Sequence, residues 1–242
     1  MKSDYEQTLY ENFKKAVNLC SAKYSDSELI DLLKSGNIPE KQYAALEIKK
    51  LSSKEDAEIF LSNLINCDGK IREAVAQKFS EFAENETYRE YFCNYPEIFA
   101  KSTIDINANI SRMVIDGLTL MSDYPQFGRD YAKNLIYYIK DALDNLDKII
   151  YKDKKYTINK QLFKLYWCLE GLSRYSKYIE EETLIEILKK SLEQKEYTIR
   201  EKVAQIVILQ TSDKFREIYE ELKSDENYYV QRILKDFPIE TI

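Results

Sequence analysis

Apolar residues recur along most of the chain at the three- and four-residue spacing of an α-helix. Three clear stripes are Ala57-Phe60-Leu61-Leu64-Ile65, Ile71-Val75-Phe79-Phe82 and Phe215-Ile218-Tyr219-Leu222. The strict alternation of apolar and polar residues that would indicate a strand does not occur over any useful length. The pattern therefore predicts an all-α protein.

Three motifs of the form Thr-x-x-Glu indicate where helices begin. They are Thr87-x-x-Glu90, Thr183-x-x-Glu186 and Thr198-x-x-Glu201. In a capping box, the hydroxyl and the carboxylate accept hydrogen bonds from free amide groups of the first turn and of the capping residue. We expect a helix N-terminus near each of these motifs.

The predicted helices come in pairs, and the second helices of successive pairs align. The best match sets Ile71-Arg72-Glu73-Ala74-Val75-Ala76-Gln77 against Ile199-Arg200-Glu201-Lys202-Val203-Ala204-Gln205. An apolar residue, a basic residue close behind it, a small or β-branched residue and a large apolar residue recur in each second helix. Internal repetition of this kind indicates a solenoid of stacked units.

This pattern resembles the HEAT-repeat family, in which two antiparallel helices form a unit and the second carries a Val/Ile-Arg…Ala…Leu signature. The resemblance implies an α-solenoid, or superhelix, of about six HEAT-like helical hairpins with an N-terminal capping helix. We expect one repeat domain over 1–242, with 1–24 as the cap. The expected repeats are 27–51, 54–84, 88–122, 126–175, 180–210 and 212–237.

The resemblance also predicts where a partner would bind. A lone helical pair cannot bury both of its faces, so stacked pairs share a continuous core and leave the second helices on an inner wall. Residues opposite the core stripe are candidates for a binding groove. They are Glu73, Gln77, Arg112, Asp116, Phe163, Trp167, Glu170, Glu201, Gln205 and Arg232.

Two features of this wall are open to alternative interpretations. Trp167, the only tryptophan, is either an anchor for a partner or a packing residue beneath the long, irregular fourth repeat. One arginine recurs in each of several units, and together these arginines form a row. The row either contacts phosphates or hydrogen-bonds to loop carbonyls and acids between repeats. The row is Arg72, Arg112, Arg200 and Arg232.

Lysines cluster around the segment 151–156. The cluster consists of Lys148, Lys152, Lys154, Lys155, Lys160 and Lys164. It is a candidate anion patch for an acidic protein segment, nucleic acid or lipid head groups, and the alternative is a solvated lysine loop.

Composition narrows the function. The formal net charge is −6, which disfavours nucleic acid as the main partner because duplex binding rests on neutralising phosphates. The chain has no histidine, the commonest general base and metal ligand, so we expect no metal and no cofactor. Four dispersed cysteines, the lack of a signal-like N-terminus and the lack of a membrane-length apolar run predict a cytoplasmic protein.

The sequence therefore favours a non-enzymatic scaffold that binds another protein or a peptide in its groove. The carboxylates of Glu73, Asp116, Glu170 and Glu201 are candidates for acid–base chemistry, but no sequence motif pairs them. One alternative is an enzyme similar to the HEAT-like alkylpurine DNA glycosylases, whose tryptophan and aspartate pattern is replaced here by Trp167-Cys168-Leu169-Glu170. A chromophore-lyase-like activity is a third hypothesis, by fold analogy alone.

Overall fold

The computed structural model describes residues 4–148 and 155–236, and every regular element in these ranges is a helix. The chain divides into two compact units. Among the described residues, unit 1 comprises 4–102 and 107–120, and unit 2 comprises 103–106, 121–148 and 155–236.

Unit 1 is a stack of helical pairs that follows an N-terminal helix. Its helices are α1 (Asp4–Ser21), α2 (Asp26–Ser35), α3 (Ile38–Glu47), α4 (Lys54–Ser62), α5 (Gly69–Phe82), α6 (Glu86–Phe92), α7 (Pro96–Thr103, whose last residue belongs to unit 2) and α8 (Ala108–Thr119). The second helices pack side by side, α3 on α5 and α5 on α8, and α1 packs on α3.

Unit 2 repeats the same arrangement. Its helices are α9 (Pro125–Lys148), α10 (Lys155–Ser173), α11 (Glu181–Leu192), α12 (Tyr197–Val207), α13 (Arg216–Lys223) and α14 (Tyr228–Asp236), with 3₁₀ turns at Ser176–Tyr178 and Asp213–Phe215. Helix α9 packs along α10, and the second helices α10, α12 and α14 pack in sequence order.

The prediction of an all-α solenoid of helical hairpins is thus confirmed. The first part of the predicted repeat 88–122 is not a single helix but two short ones, α6 and α7. The break lies just before Pro96, which has no amide hydrogen and disfavours a helical conformation of the residue that precedes it. The union of both units in one domain over 1–242 stays a prediction.

Two helices of unit 1 begin with complete capping boxes. Ser25 Oγ accepts a hydrogen bond from the amide of Glu28 at 3.3 Å, and Glu28 Oε2 accepts one from the amide of Ser25 at 2.8 Å. Asn37 and Glu40 repeat the arrangement at 3.1 and 2.7 Å. These side chains satisfy amide groups that the first turn leaves without helical partners.

The capping boxes predicted at the three Thr-x-x-Glu motifs are wrong. Thr87, Thr183 and Thr198 lie inside the first turns of α6, α11 and α12. The capping position of α6 is Asn85, whose side chain accepts a hydrogen bond from the amide of Thr87. The residues at the capping positions of α11 and α12 are glutamates that form no side-chain cap. Each helix begins upstream of its motif.

The predicted core stripe of α5 is buried in unit 1. Phe79 is fully buried, and its ring centroid lies 5.3 Å from that of Phe92 and 4.7 Å from that of Phe99. Gly117 of α8 makes room for this ring, because a Cβ at that position would lie 2.5 Å from Phe79 Cε1. A glycine in the middle of α8 therefore allows close packing of two second helices.

The core of unit 2 is built around Tyr131 of α9, which is fully buried. Its hydroxyl lies 2.7 Å from Thr103 Oγ1, and its ring stacks on Phe127 at 5.7 Å. Tyr175 contacts the same ring edge-on at 4.8 Å. The hydrogen bond to Thr103 satisfies the buried phenol, so this polar group is accommodated in the core.

Candidate partner-binding faces of the second helices

The predicted groove residues of unit 1 lie on two helices that pack against each other. Gln77 of α5 and Arg112 and Asp116 of α8 are exposed, and Glu73 of α5 is half-buried. Ser80 Oγ donates a hydrogen bond to the carbonyl of Met113 at 3.0 Å, which ties α5 to α8. We call these four predicted residues the unit-1 face.

The remaining predicted residues lie in unit 2. Phe163, Glu170, Glu201 and Gln205 are half-buried on α10 and α12, Trp167 is buried, and Arg232 is exposed on α14. Arg232 Nε lies 3.3 Å from Asp236 Oδ2 in its own helix. We call these six residues the unit-2 face.

The structure adds one residue that the sequence analysis missed at the centre of the unit-2 face. Lys202 of α12 has only 10% of its side chain exposed, and its Nζ lies 2.5 Å from Glu170 Oε2 of α10. The same amine donates a hydrogen bond to Gln205 Oε1 at 3.0 Å and lies 4.9 Å from the ring centroid of Tyr166. Lys202 therefore links α10 to α12.

Aromatic side chains border this ion pair. The Tyr166 and Trp167 rings meet edge to face at 5.1 Å, and Phe163 meets Trp167 at 6.1 Å. Trp167 is 6% exposed, and its indole Nε1 has no hydrogen-bond acceptor among the described residues. Its placement agrees with the packing alternative, because it offers little surface to a partner.

We name Tyr166, Trp167, Glu170, Lys202 and Gln205 the Lys202 cluster. Burial by itself would lower the pKa of Lys202, but the hydrogen bond and charge of Glu170, with a contribution from Tyr166, outweigh burial and raise it. Lys202 is therefore a fixed cation at neutral pH. An amine nucleophile or general base needs the opposite shift, toward the neutral form.

A signal for Lys202 was present in the repeat alignment. The best-matching pair of second helices places Lys202 opposite Ala74, which is buried in α5. A charged residue at a repeat position that elsewhere holds a small apolar one indicates either an ion pair or a functional site. The apolar stripe alone could not show it, because that stripe marks only the residues that face the core.

Two members of the arginine row hold loops. Arg200 forms a bidentate ion pair with Asp225, at 2.6 and 3.1 Å, and donates to the carbonyls of Gln194 and Lys195 at 2.9 and 3.0 Å. Arg72 likewise donates to the carbonyl of Cys67. These bonds agree with the loop-bonding interpretation for Arg72 and Arg200.

The arginine pair also sets the charge state of its acid. Burial would raise the pKa of Asp225, but the hydrogen bonds from Arg200 and from the amide of Asn227 outweigh burial and lower it. The ion pair joins the start of α12 to the segment before α14. It therefore couples consecutive repeats within unit 2.

Only part of the predicted anion patch lies within the described residues. Lys152 and Lys154 lie outside the described residues, and Lys155 is the first residue of α10. Lys148 and Lys160 are exposed. Lys164 is paired with Asp141 at 2.5 Å, which neutralises its charge locally. The anion patch stays a prediction.

The described residues contain no group of three or more cysteine, aspartate or glutamate side chains arranged to hold a metal ion. In the same part of the chain, none of the helices combines the length and the apolar character needed to cross a membrane.

No protein-family model matches the chain. No curated protein matches it in sequence. Solved structures do match. An archaeal HEAT-like repeats protein from Thermococcus onnurineus NA1 is 13% identical with a TM-score of 0.50, over 90% of this chain and 80% of that one. An engineered protein is 10% identical with a TM-score of 0.52, over 88% of this chain and 96% of that one.

These likenesses establish the fold. The chain folds as a HEAT-like helical repeat protein, an all-α architecture of stacked hairpins. At such low identity the structural similarity carries no information about a shared partner or activity.

Proposed function

We propose that this protein is a non-enzymatic interaction scaffold that binds another protein or a peptide on the unit-2 face. The observation that carries the proposal is the Lys202 cluster. Together with the adjoining Phe163, the cluster places an ion pair and three aromatic rings on the packed helices α10 and α12. Repeat proteins commonly bind partners on the extended surfaces that their stacked repeats create.

The cluster is not explained by stability. A buried ion pair usually contributes little net stability compared with apolar residues of similar volume, because both charges lose hydration. The aligned position in α5 is occupied by Ala74, so the repeat does not require a lysine at this position. Aromatic residues are enriched at the centres of protein interfaces.

Glu170 gains no support as an acid–base group. Its Oε2 lies 2.5 Å from the Lys202 ammonium, so this oxygen is already engaged in an ion pair. No geometric observation favours a DNA glycosylase-like or chromophore-lyase-like reaction. The negative net charge continues to disfavour nucleic acid, and that expectation stays a prediction.

Site-specific photo-cross-linking in native cells tests the proposal. A photoreactive amino acid is placed singly at Phe163, Glu201 or Gln205 of the unit-2 face. A matched position is Lys190, which is exposed on the first helix α11. We expect one recurrent protein adduct at the three face positions and a much weaker one, or none, at Lys190.

The adduct is then challenged with excess unlabelled protein in two forms. Wild-type protein should suppress the adduct, and the double variant Phe163→Ala, Gln205→Ala should fail to do so. Equal yields at Lys190 and at the face positions, or equal suppression by both competitors, would show that partners do not select this face.

A further inference from the structure

A second surface of unit 2 lies at the start of its last two second helices, one helical turn before Glu201 and Arg232 of the unit-2 face. Tyr197 is the first residue of α12, and Tyr228 and Tyr229 are the first two of α14. The rings of Tyr197 and Tyr229 stack at 6.0 Å with an interplanar angle of 27°, and Tyr228 meets Tyr229 edge-on at 5.7 Å. We call these three residues the tyrosine edge.

Two of the three rings of the tyrosine edge are open to solvent, and Tyr197 is half-buried. Tyr228 is 62% exposed and Tyr229 is 55% exposed, whereas Val230 and Leu234 anchor the same helix in the core. The exposed rings are therefore not needed to bury α14. Two large aromatic side chains held in contact with each other and largely uncovered present π-faces that a partner can use.

Two exposed carboxylates flank the tyrosine edge. Glu196 directly precedes Tyr197, and Glu226 lies two residues before Tyr228. Both glutamate side chains are exposed. Hydrogen bonds to Asp225 are the main cause that raises the pKa of Arg200, and the charges of Asp225, Glu226 and Glu196 add to it. The carboxylates of Glu196 and Glu226 therefore lie within electrostatic reach of the Arg200 guanidinium.

Arg200 does not cancel these charges. Its guanidinium is committed to Asp225 in a bidentate pair and to two loop carbonyls. The amide of Tyr229 in the first turn of α14 is satisfied locally, since Asn227 Oδ1 accepts a hydrogen bond from it at 2.9 Å. Glu196 and Glu226 therefore leave a negative surface beside the exposed rings.

We infer that the tyrosine edge docks a protein segment that carries arginine or lysine side chains, whose cations lie over the tyrosine faces while Glu196 and Glu226 neutralise them. Cations are attracted to aromatic faces within about 6 Å of the ring centre. A carboxylate beside the ring adds a charge-assisted hydrogen bond, and arginine presents a planar fork suited to both contacts. The inference does not depend on the unit-2 face, because it uses other residues and another binding test.

The test uses the full chain and a fluorescein-labelled peptide, Gly-Arg-Gly-Arg-Gly-Arg-Gly, with binding followed by fluorescence anisotropy at low salt. The double variant Tyr228→Leu, Tyr229→Leu removes the π-faces without changing the net charge. We expect the dissociation constant to rise about five- to thirtyfold, as the loss of two exposed cation–π contacts implies. The double variant Glu196→Gln, Glu226→Gln should weaken binding and flatten its salt dependence.

The matched control is Tyr137→Leu, which removes another tyrosine of unit 2 that is 68% exposed. It should bind the peptide as the wild type does. Circular dichroism melts should match among all variants, because the altered side chains lie outside the core. No binding by the wild type, no loss in the tyrosine double variant, an equal loss with Tyr137→Leu, or equal binding of a peptide with Glu in place of Arg would each overturn the inference.

Discussion

Removing one member of the Lys202–Glu170 ion pair at a time should have unequal effects on stability. The Lys202 side chain is 10% exposed and that of Glu170 is 31% exposed. Glu170→Gln leaves a charged ammonium in a nearly closed environment with only neutral partners. Lys202→Met leaves a carboxylate that water can reach.

The magnitudes follow from burial. Breaking a fully buried pair from one side costs about 3–5 kcal/mol. Solvent at Glu170, and the hydrogen bond that Gln205 still accepts from Lys202, reduce this cost for Glu170→Gln to about 1–3 kcal/mol. Lys202→Met should stay within about 1 kcal/mol of the wild type, because an apolar side chain of similar length replaces a pair of low net stability.

Urea unfolding at neutral pH measures both variants, and a pH series adds a second check. Because the pKa of Lys202 is raised in the folded protein, its contribution is fully present below the ordinary lysine value of 10.5. That contribution is lost as pH rises through the folded-state pKa. The stability difference between wild type and Lys202→Met should therefore change in strongly alkaline solution.

The reasoning is refuted if Lys202→Met costs more free energy than Glu170→Gln. That order would mean that the pair stabilises the protein mainly through packing of the lysine stem. The cost of leaving one charge unpaired would then be the smaller effect. The double variant Lys202→Met, Glu170→Gln should recover part of the loss seen in Glu170→Gln, since neither charge then remains buried.

Three further predictions concern the framework of the two units. Asp225→Asn should lower the free energy of unfolding by about 2–4 kcal/mol at pH 7, because both side chains of the Arg200 pair are nearly buried. This difference should shrink as pH falls below 3.8, the ordinary value from which the Asp225 pKa is lowered, and urea melts at pH 7 and pH 3 measure it. Gly117→Ala should cost about 1–3 kcal/mol by forcing a methyl group against Phe79. Gly69→Ala, whose added Cβ would meet nothing closer than 4.0 Å, should be neutral or stabilising. Thermal melts of the two glycine variants measure this difference. Ser25→Ala should cost about 1 kcal/mol by removing a helix cap, while Thr87→Ala should leave chemical denaturation unchanged because Thr87 does not cap α6.

The periodic apolar residues were sufficient to predict the architecture. Phe79 and Val203, both placed in the core by their spacing, are fully buried, because a helix that repeats an apolar stripe can hide it only against neighbouring helices. The start of a helix was harder to locate. Thr-x-x-Glu fits a capping box and a first turn equally well, and the upstream residues decide between the two.

The candidate site was predicted less completely. Spacing opposite the core stripe located Glu170 and Gln205, but it also placed Trp167 on an open wall, where the structure buries it. The Lys202 side chain reaches α10, where its Nζ lies 2.5 Å from Glu170 Oε2. Such a pair depends on the packing of two helices, which helical periodicity does not describe.

The central claim is that the unit-2 face binds a protein partner. The most direct test is to purify the cross-linked partner and to measure, by titration calorimetry, its affinity for three forms of the full chain. Phe163→Ala, Gln205→Ala should weaken binding at least tenfold, whereas Lys190→Ala on α11 should leave the dissociation constant unchanged. Equal affinity of the wild type and the face variant, or an equal loss in the α11 control, would contradict the claim.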